Sequence, residues 1–538
     1  MKTESNSKTL LRGTGIVSSL NALSRIFGFI RDLIVARIFG AGYYADAFFV
    51  AFKIPNVLRS FVAEGALTSA FVPIFSEKLK RDQNSAKEAF KIVTGFMLQV
   101  TLFLSALGII YAEEIVRLFG TGFVADPGKF SLCVELTRIM FPYIVFVSQV
   151  AMINGALNTL KIYGAAPLAQ IVMNITLIAG AIVAGFYNKE TAIHILAYSV
   201  LLGGFVQVLI QFRPLARSGL LVVPAMQSLT GVTVELLKLM LPALLGAGIY
   251  QLQIIINTML ASLLQQGSVA WLYYADRLAQ LPIGVFAISL SSVLLPSLSL
   301  SAADSNEKEF SKSLNDALRY TSFVMLPLAA GMFFAAEPLV RLLFERGAFS
   351  ATDTAKTALA VQALAIGLWG ISCNSVIIRA FLARKDTLTP ALTGLLTLLL
   401  SLALSLIFMG SFSSVPQNFP ATTLSSIREI LMAVFPEYDL KHAGIALAIS
   451  LATTCSMLVL VFLTGLRVKN LDFSPFASAT RKSLISVMLM YGVLKLLPLE
   501  GNLVLITITG ALIYLLFQWF QQSSELKETF LLISRKLG

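Results

Sequence analysis

Charge is scarce in this chain. Of its 538 residues only 13% are Asp, Glu, Lys or Arg, against 57% hydrophobic, whereas a soluble protein carries about 25% charged residues. The deficit excludes an ordinary water-soluble globular protein and places the chain in a membrane. Histidine is scarcer still. His194 and His442 are the only two, and neither stands in a zinc-ligand spacing, so no metal site is expected. Cys133, Cys373 and Cys455 are odd in number, far apart and set in apolar segments. That excludes a disulfide framework and predicts free buried thiols. The sequence also lacks a phosphate-cradling glycine loop, a GxSxG elbow, an HExxH pair and an aspartate cluster able to hold magnesium against a diphosphate. These absences argue against an enzyme and against a cofactor. A membrane glycosyltransferase or polymerase working from scattered acids and arginines stays open as an alternative.

What the chain has instead is length without polarity. Apolar segments of about 20 residues or more, enough to span a bilayer, fall near 13–39, 45–75, 90–112, 130–158, 164–186, 191–212, 239–264, 269–301, 318–340, 357–383, 387–410, 443–466, 476–497 and 502–521. No period-2 alternation accompanies them, so an all-α integral membrane protein of about fourteen helices is expected rather than a membrane barrel. The polar, basic start MKTESNSKTLLRG has no small-residue cleavage site behind a short apolar core, so the first helix is expected to be retained.

The formal charge of +12 implies no nucleic acid here. With both termini in the cytoplasm, 24 of the 41 basic residues fall in inner segments and 9 in outer ones, the asymmetry expected of a multispanning protein. The other eight, Arg25, Arg31, Arg37, Lys53, Arg59, Arg138, Arg277 and Arg379, lie inside the spans.

The chain also repeats itself. EEIVRLFGTGF at Glu113 reappears as EPLVRLLFERGAF at Glu337, and YYADAF at Tyr43 as YYADRL at Tyr273. Pro73 and Pro296, and Pro167 and Pro390, stand at the same offset of 223. Six helices per copy insert in one orientation, and two such lobes are the architecture of an alternating-access transporter. The expected division is 1–225 for the first lobe, 226–470 for the second and 471–538 for two additional helices. A duplicated scaffold without transport is the plain alternative.

A charge at mid-membrane costs about 2.5–3.5 kcal/mol on insertion scales, so the eight basic residues need compensation. Arg25 lies near the middle of the first span, and Asp32, seven residues on, shares its face and could partly neutralise it. The second span carries Asp46, Lys53, Arg59 and Glu64 around Pro55, and the eighth carries Asp276 and Arg277 ahead of Pro282. Ion pairing that only glues helices together is one reading. Yet base exceeds acid in the set, at matching places in both copies. A hydrated cavity lined by arginines gives that surplus a use, because guanidinium forks pair with phosphate or diphosphate oxygens. An anionic substrate is expected.

LSRIFGFIRD (23–32), FGAGYYADAFFVAFKIPNVLRSFVAEGALTSAFVPIFSE (39–77) and WLYYADRLAQLPIGVFAISLSSVLLPSLS (271–299) strongly resemble the MurJ (MviN) family of bacterial lipid II flippases. That family belongs to the multidrug/oligosaccharidyl-lipid/polysaccharide exporter superfamily. The resemblance extends over nearly the whole chain. It implies transport of an undecaprenyl-diphosphate-linked disaccharide-pentapeptide, lipid II, from the inner to the outer leaflet of the cytoplasmic membrane for peptidoglycan synthesis. It carries substrate-binding roles onto Ser24, Arg25, Arg31, Asp32, Arg59 and Arg277, and gating or ion-pair roles onto Asp46, Glu64 and Asp276. It further implies a lipid-tail groove on the last two helices, membrane lipids and cell-wall synthesis machinery as partners, and a monomer. An exporter of another polyprenyl-linked glycan is the neighbouring alternative. One outer segment, 412–442, departs from the family pattern, and its LSSIREILMAVF reads as an amphipathic surface helix.

Overall fold

Long apolar runs in a solvent that cannot satisfy backbone groups leave the chain few choices but helix. The structure, a computed structural model, describes residues 2–60, 66–226, 230–304, 306–412, 418–436, 438–468, 471–497 and 502–537. Among these the regular structure is helical, with one isolated bridge between Met409 and Asp439. Ten helical segments are long and apolar enough to cross a membrane. The expected spans 13–39, 45–75, 239–264 and 476–497 lie on helices outside that set of ten.

Packing divides the chain into two compact units. The first comprises Met1–Val269 with the short segments Arg346–Phe349 and Ser414–Thr422. Its helices are α1 (Lys2–Phe39), α2 (Tyr43–Arg59), α3 (Ala66–Arg81), α4 (Gln83–Ile110), α5 (Ala112–Phe119), α6 (Pro127–Met140), α7 (Tyr143–Thr159), α8 (Ala165–Ala184), α9 (Lys189–Arg217) and α10 (Gly231–Ser262). α1 lies along α8, and α8 along α9, while α3 packs on α4, α7 and α10. The latter group closes over Phe71, Phe75 and Phe90, whose rings meet at 5.3–6.3 Å. Packing thus joins α10 to the first unit, whereas the sequence duplication divides at 225/226; the two partitions follow different criteria. Small residues let helices approach where no hydrophobic effect drives them together. At Gly108 a Cβ would stand 2.0 Å from the Phe141 ring, so no larger residue fits that crossing.

The second unit comprises Ala270–Glu345, Ser350–Ser413 and Thr423–Gly538. It carries α11 (Ser268–Pro282), a π-helical turn at Ile283–Ala287, α12 (Ile288–Ala303), α13 (Glu307–Phe334), α14 (Ala336–Phe344), α15 (Ala351–Ala383), α16 (Leu388–Phe408), α17 (Ala421–Met432), α18 (Lys441–Arg467), α19 (Ser474–Leu496), α20 (Leu503–Phe520) and α21 (Ser524–Leu537). The π turn follows Pro282, which cannot donate to the preceding turn. α15 is central, packed against α18, α13 and α12, and α19 joins the unit through α13.

The thiol expectation needs one correction. Cys133 and Cys373 are buried, but Cys455 is exposed on α18, because a span facing lipid turns part of its apolar surface outward. The amphipathic segment 421–432 is the helix α17, with Ile427 and Ile430 exposed.

Candidate functional site

α1 crosses the first unit with three charged residues in eight positions, so its neighbours must supply polar partners. The nearest partner is on the same helix. Arg31 donates from Nε and Nη2 to Asp32 Oδ1, at 3.0 and 2.8 Å. The second comes from α8, where Asn174 Oδ1 accepts from Arg31 Nη1 at 3.0 Å. Asn174 Nδ2 in turn donates to the Ser24 carbonyl at 3.1 Å. One amide therefore ties the guanidinium to the α1 backbone two turns earlier. Asn174 packs against Gly28, where a Cβ would stand in ordinary contact with its amide at 3.5 Å.

The side chains of Arg31 and Asp32 keep 13% and 4% of their exposure. A pair this dry is costly to break, because removing one member strands the other's charge. Asp32 compensates Arg31, not Arg25. Seven residues along a helix is a rise of about 10 Å, too far for a short carboxylate when an adjacent guanidinium can curl onto it. Arg25 is exposed and Ser24 half-buried.

α2 supplies a second basic group. Asn56 Oδ1 accepts from Arg59 Nε at 3.1 Å, and Asn56 Nδ2 donates to the Phe52 carbonyl at 2.7 Å, so the amide braces the arginine one turn on. Lys53 Nζ donates to Thr258 Oγ1 of α10 at 3.1 Å. Asp46 stands apart from these bases. Lys129 Nζ of α6 meets its Oδ2 at 2.8 Å, and the Gly267 backbone N–H donates to the same oxygen at 2.7 Å. The ammonium also sits 4.3 Å from the Phe123 ring centroid, and the two charged side chains keep only 6% and 2% exposure. Asp46 thus closes an internal ion pair with a residue counted by sequence among the outer-segment bases. Glu64 lies outside the described residues.

In the second unit Arg277 is half-buried on α11. Its Nη2 donates to Tyr273 OH at 3.0 Å and its guanidinium lies 4.8 Å from that ring's centroid. Asp276 beside it is exposed and accepts from Gln280 at 2.5 Å. The structure therefore brings together Ser24, Arg31 and Asp32, places Arg59 with Asn56, and sets Arg277 on Tyr273. Sequence reasoning missed Asn174, Asn56, Lys129 and Tyr273 as partners. Two amides one turn apart in an otherwise largely apolar span, Gln170 and Asn174, were the available signal for Asn174. Among the described residues no group of His, Cys, Asp or Glu could hold a metal ion.

An arrangement of immobilised guanidinium groups in apolar spans can grip an anion carrying several oxygens. Residues 35–417 match the family described as Lipid II flippase MurJ. A probable lipid II flippase MurJ of Buchnera aphidicola (Acyrthosiphon pisum strain) is 33% identical over 452 residues, covering 84% of this chain and 83% of that protein. The lipid II flippase MurJ of Burkholderia cenocepacia is 37% identical over 386 residues, covering 71% and 75%. Among solved structures, a lipid II flippase MurJ in an inward closed conformation superposes with a TM-score of 0.76 at 28% identity, over 94% of this chain and 98% of that one. An inward-facing MATE multidrug transporter superposes at 0.64 with 14% identity, over 85% and 99%, which shows a shared fold.

Proposed function

This chain belongs to the lipid II flippase MurJ family, and from that premise we propose that Arg31, held by Asp32 and Asn174, is the central grip on its cargo's diphosphate. The protein is a transporter, not an enzyme: a flippase that translocates lipid II from the inner to the outer leaflet by alternating access, for peptidoglycan synthesis.

The observation that supports the grip is the Arg31 fork. Asp32 and Asn174 set the plane of the guanidinium before any cargo arrives, which lowers the ordering cost of binding. A planar fork then offers paired hydrogen bonds to phosphate oxygens, which a lysine ammonium cannot reproduce. Arg25, Arg59 and Ser24 extend the grip in the first unit. Arg277, oriented by Tyr273, is assigned to cargo binding as well. Asp46 acts as an ion-pair anchor for α2 through Lys129, and Asp276 and Glu64 are assigned to gating.

The membrane setting follows from the charge distribution. Fourteen spans in the bacterial cytoplasmic membrane, with both termini in the cytoplasm, would account for the 24-to-9 split of basic residues between inner and outer segments. Residues 1–225 and 226–470 form the duplicated lobes, and α19 and α20 supply the lipid-tail groove. The protein acts as a monomer alongside cell-wall synthesis machinery.

Two experiments test this. Expression in a strain depleted of its lipid II flippase restores growth and lipid II arrival at the outer leaflet; failure of a well-expressed chain to do so removes lipid II as the cargo. In a chain freed of native cysteines, Tyr187→Cys and Gln266→Cys label with an impermeant reagent in intact cells, and Asn306→Cys does not. Gln266 is preferred to its neighbour Gly267, whose φ of 96° disfavours any side chain.

A further inference from the structure

Away from Arg31 and its partners, the most developed polar site among the described residues lies in the second unit, where α13, α19 and α21 meet. Arg319 of α13 donates to Glu525 Oε1 at 2.7 Å, to Asp316 Oδ1 at 2.9 Å and to Ser524 Oγ at 2.8 Å, with Glu528 at 3.6 Å. Tyr320 OH donates to Glu528 Oε2 at 2.5 Å. Burial pushes the Glu525 carboxyl up, but hydrogen bonds from Ser523 and Arg319 more than offset it and hold it below the usual range. These contacts clamp the start of α21 to the body of the unit.

The clamp does not fill the space around it. A cavity of about 280 Å³ remains, lined by Arg319, Ser478, Lys482, Ser524, Glu525 and Glu528 among others. Its walls differ in sign. Lys482 and Ser478 of α19 form one side, and Glu528 and Glu525 of α21 the other. Arg319 is already engaged by its three carboxylates, and Lys482 is the other basic residue lining the space.

Three independent features put this cavity at the depth of lipid headgroups. α13 changes character at Tyr320: the residues before it read EKEFSKSLNDALR, those after it TSFVMLPLAAGMFF. α20 ends in Trp519 and Phe520, both about two-thirds exposed and in edge contact at 5.2 Å, the signature of an interfacial aromatic belt. α21 then begins four residues later and leaves Phe530 and Leu531 exposed beside Lys527, as a helix lying in the interface does.

We propose that this cavity binds the headgroup of a zwitterionic aminophospholipid, its phosphate on Lys482 and Ser478 and its ammonium on Glu528. A pocket presenting a lysine opposite carboxylates matches a ligand with both charges, and disfavours a purely anionic headgroup, which would meet Glu525 and Glu528. In the topology proposed above the lipid comes from the cytoplasmic leaflet. The site shares no residue with the Arg31 site, and a lipid there braces α19 against α13 and α21 at their inner ends.

Native mass spectrometry of the full-length purified protein, equilibrated with equal amounts of phosphatidylethanolamine and phosphatidylglycerol of identical chains, tests this. The wild type retains phosphatidylethanolamine in preference by roughly tenfold, the scale of one charge-assisted hydrogen bond. Lys482→Ala lowers retention of both lipids, and Glu528→Gln erases the preference. Ser478→Tyr, which fills the cavity and leaves the Arg319 clamp intact, does the same without lowering the melting temperature. Added soluble phosphoethanolamine displaces the lipid if the headgroup alone is recognised; if it does not, the acyl chains contribute and the lipid is the sole source. Equal retention of the two lipids by the wild type, or an unchanged preference in Ser478→Tyr, overturns the proposal.

Discussion

The two copies of the internal duplication agree in their backbone and disagree in their charge. α4 and α13 are both 28 residues long and both stop at a residue with ψ outside the helical range, Tyr111 (φ −94°, ψ 23°) and Ala335 (φ −93°, ψ 11°). A short helix follows each, carrying an exposed pair one turn apart: Glu113 with Arg117 at 2.9 Å, and Glu337 with Arg341 at 2.6 Å. The next helices start from caps at equivalent positions, Asp126 for α6 and Ser350 for α15. Three residues on, the likeness fails. The first copy has Lys129, buried against Asp46 of α2. The second has Asp353, which accepts from Trp271 Nε1 at 2.9 Å and from Ser350. The aspartate matching Asp46, Asp276, is exposed.

The same junction is thus held by an ion pair in one copy and by a neutral donor on a carboxylate in the other. Shared breaks and caps preserve the shape, while the electrostatics are specific to each copy. The buried arginine of α1 belongs with the first.

The largest expected effect follows from that contrast. Lys129→Ala strands the Asp46 carboxylate in a site with almost no solvent, at a cost of about 3–5 kcal/mol. Asp353→Ala removes a hydrogen bond and half of a capping box, at about 1–2 kcal/mol. Thermal unfolding of both variants in one detergent checks the ranking, and equal losses would mean that the two junctions are held alike.

How much of this was legible in sequence depended on distance along the chain. The helix break and the acid–base pair after it recur as EEIVRLF and EPLVRLL, and local capping needs only neighbouring residues. Ten of the fourteen expected spans and the α17 segment were readable for the same reason. Partners far apart were not. Arg31 meets Asn174 across 143 residues, and nothing local in α8 tells which of its two amides, Gln170 or Asn174, does so. Lys129 looked like an outer-loop base because it opens α6 only two residues after Pro127, and nothing local reveals that it folds under onto α2. The pairing of Asp32 with Arg31 was missed because helix-face reasoning favours residues three, four or seven apart, whereas a long guanidinium can reach its immediate neighbour.

A middle-sized effect probes what the copies share. Asp126→Ala and Ser350→Ala each remove a side chain that accepts from a first-turn backbone N–H, and each should cost about 1 kcal/mol. Unfolding midpoints that differ widely between the two would show that the backbone likeness hides unequal helix starts.

The smallest effect concerns a turn with no acidic counterpart in the first copy. Asp386, between α15 and α16, is held below the ordinary aspartate range first by the Thr389 N–H, then by the Thr389 hydroxyl and Arg467. A carboxylate whose folded pKa is depressed contributes stability that is complete above its unfolded value and is lost as pH falls through the folded one. Asp386→Asn should therefore lower stability in the neutral region and converge on the wild type below about pH 4, which flattens the acid limb of the profile. An unaltered acid limb would remove this turn from the account.

The most direct measurement concerns Arg31 itself. Its fork satisfies Asp32 through Nε and Nη2 and Asn174 through Nη1 simultaneously, a geometry that an ammonium cannot copy. The purified Arg31→Lys protein, with charge unchanged, is titrated with lipid II beside the wild type. The account predicts a folded variant whose binding is weaker by about 1–3 kcal/mol, the scale of hydrogen bonds to charged groups, and which fails to restore growth of a flippase-depleted strain. Lipid II binding as tight as in the wild type would mean that net charge, and not an oriented guanidinium, holds the diphosphate.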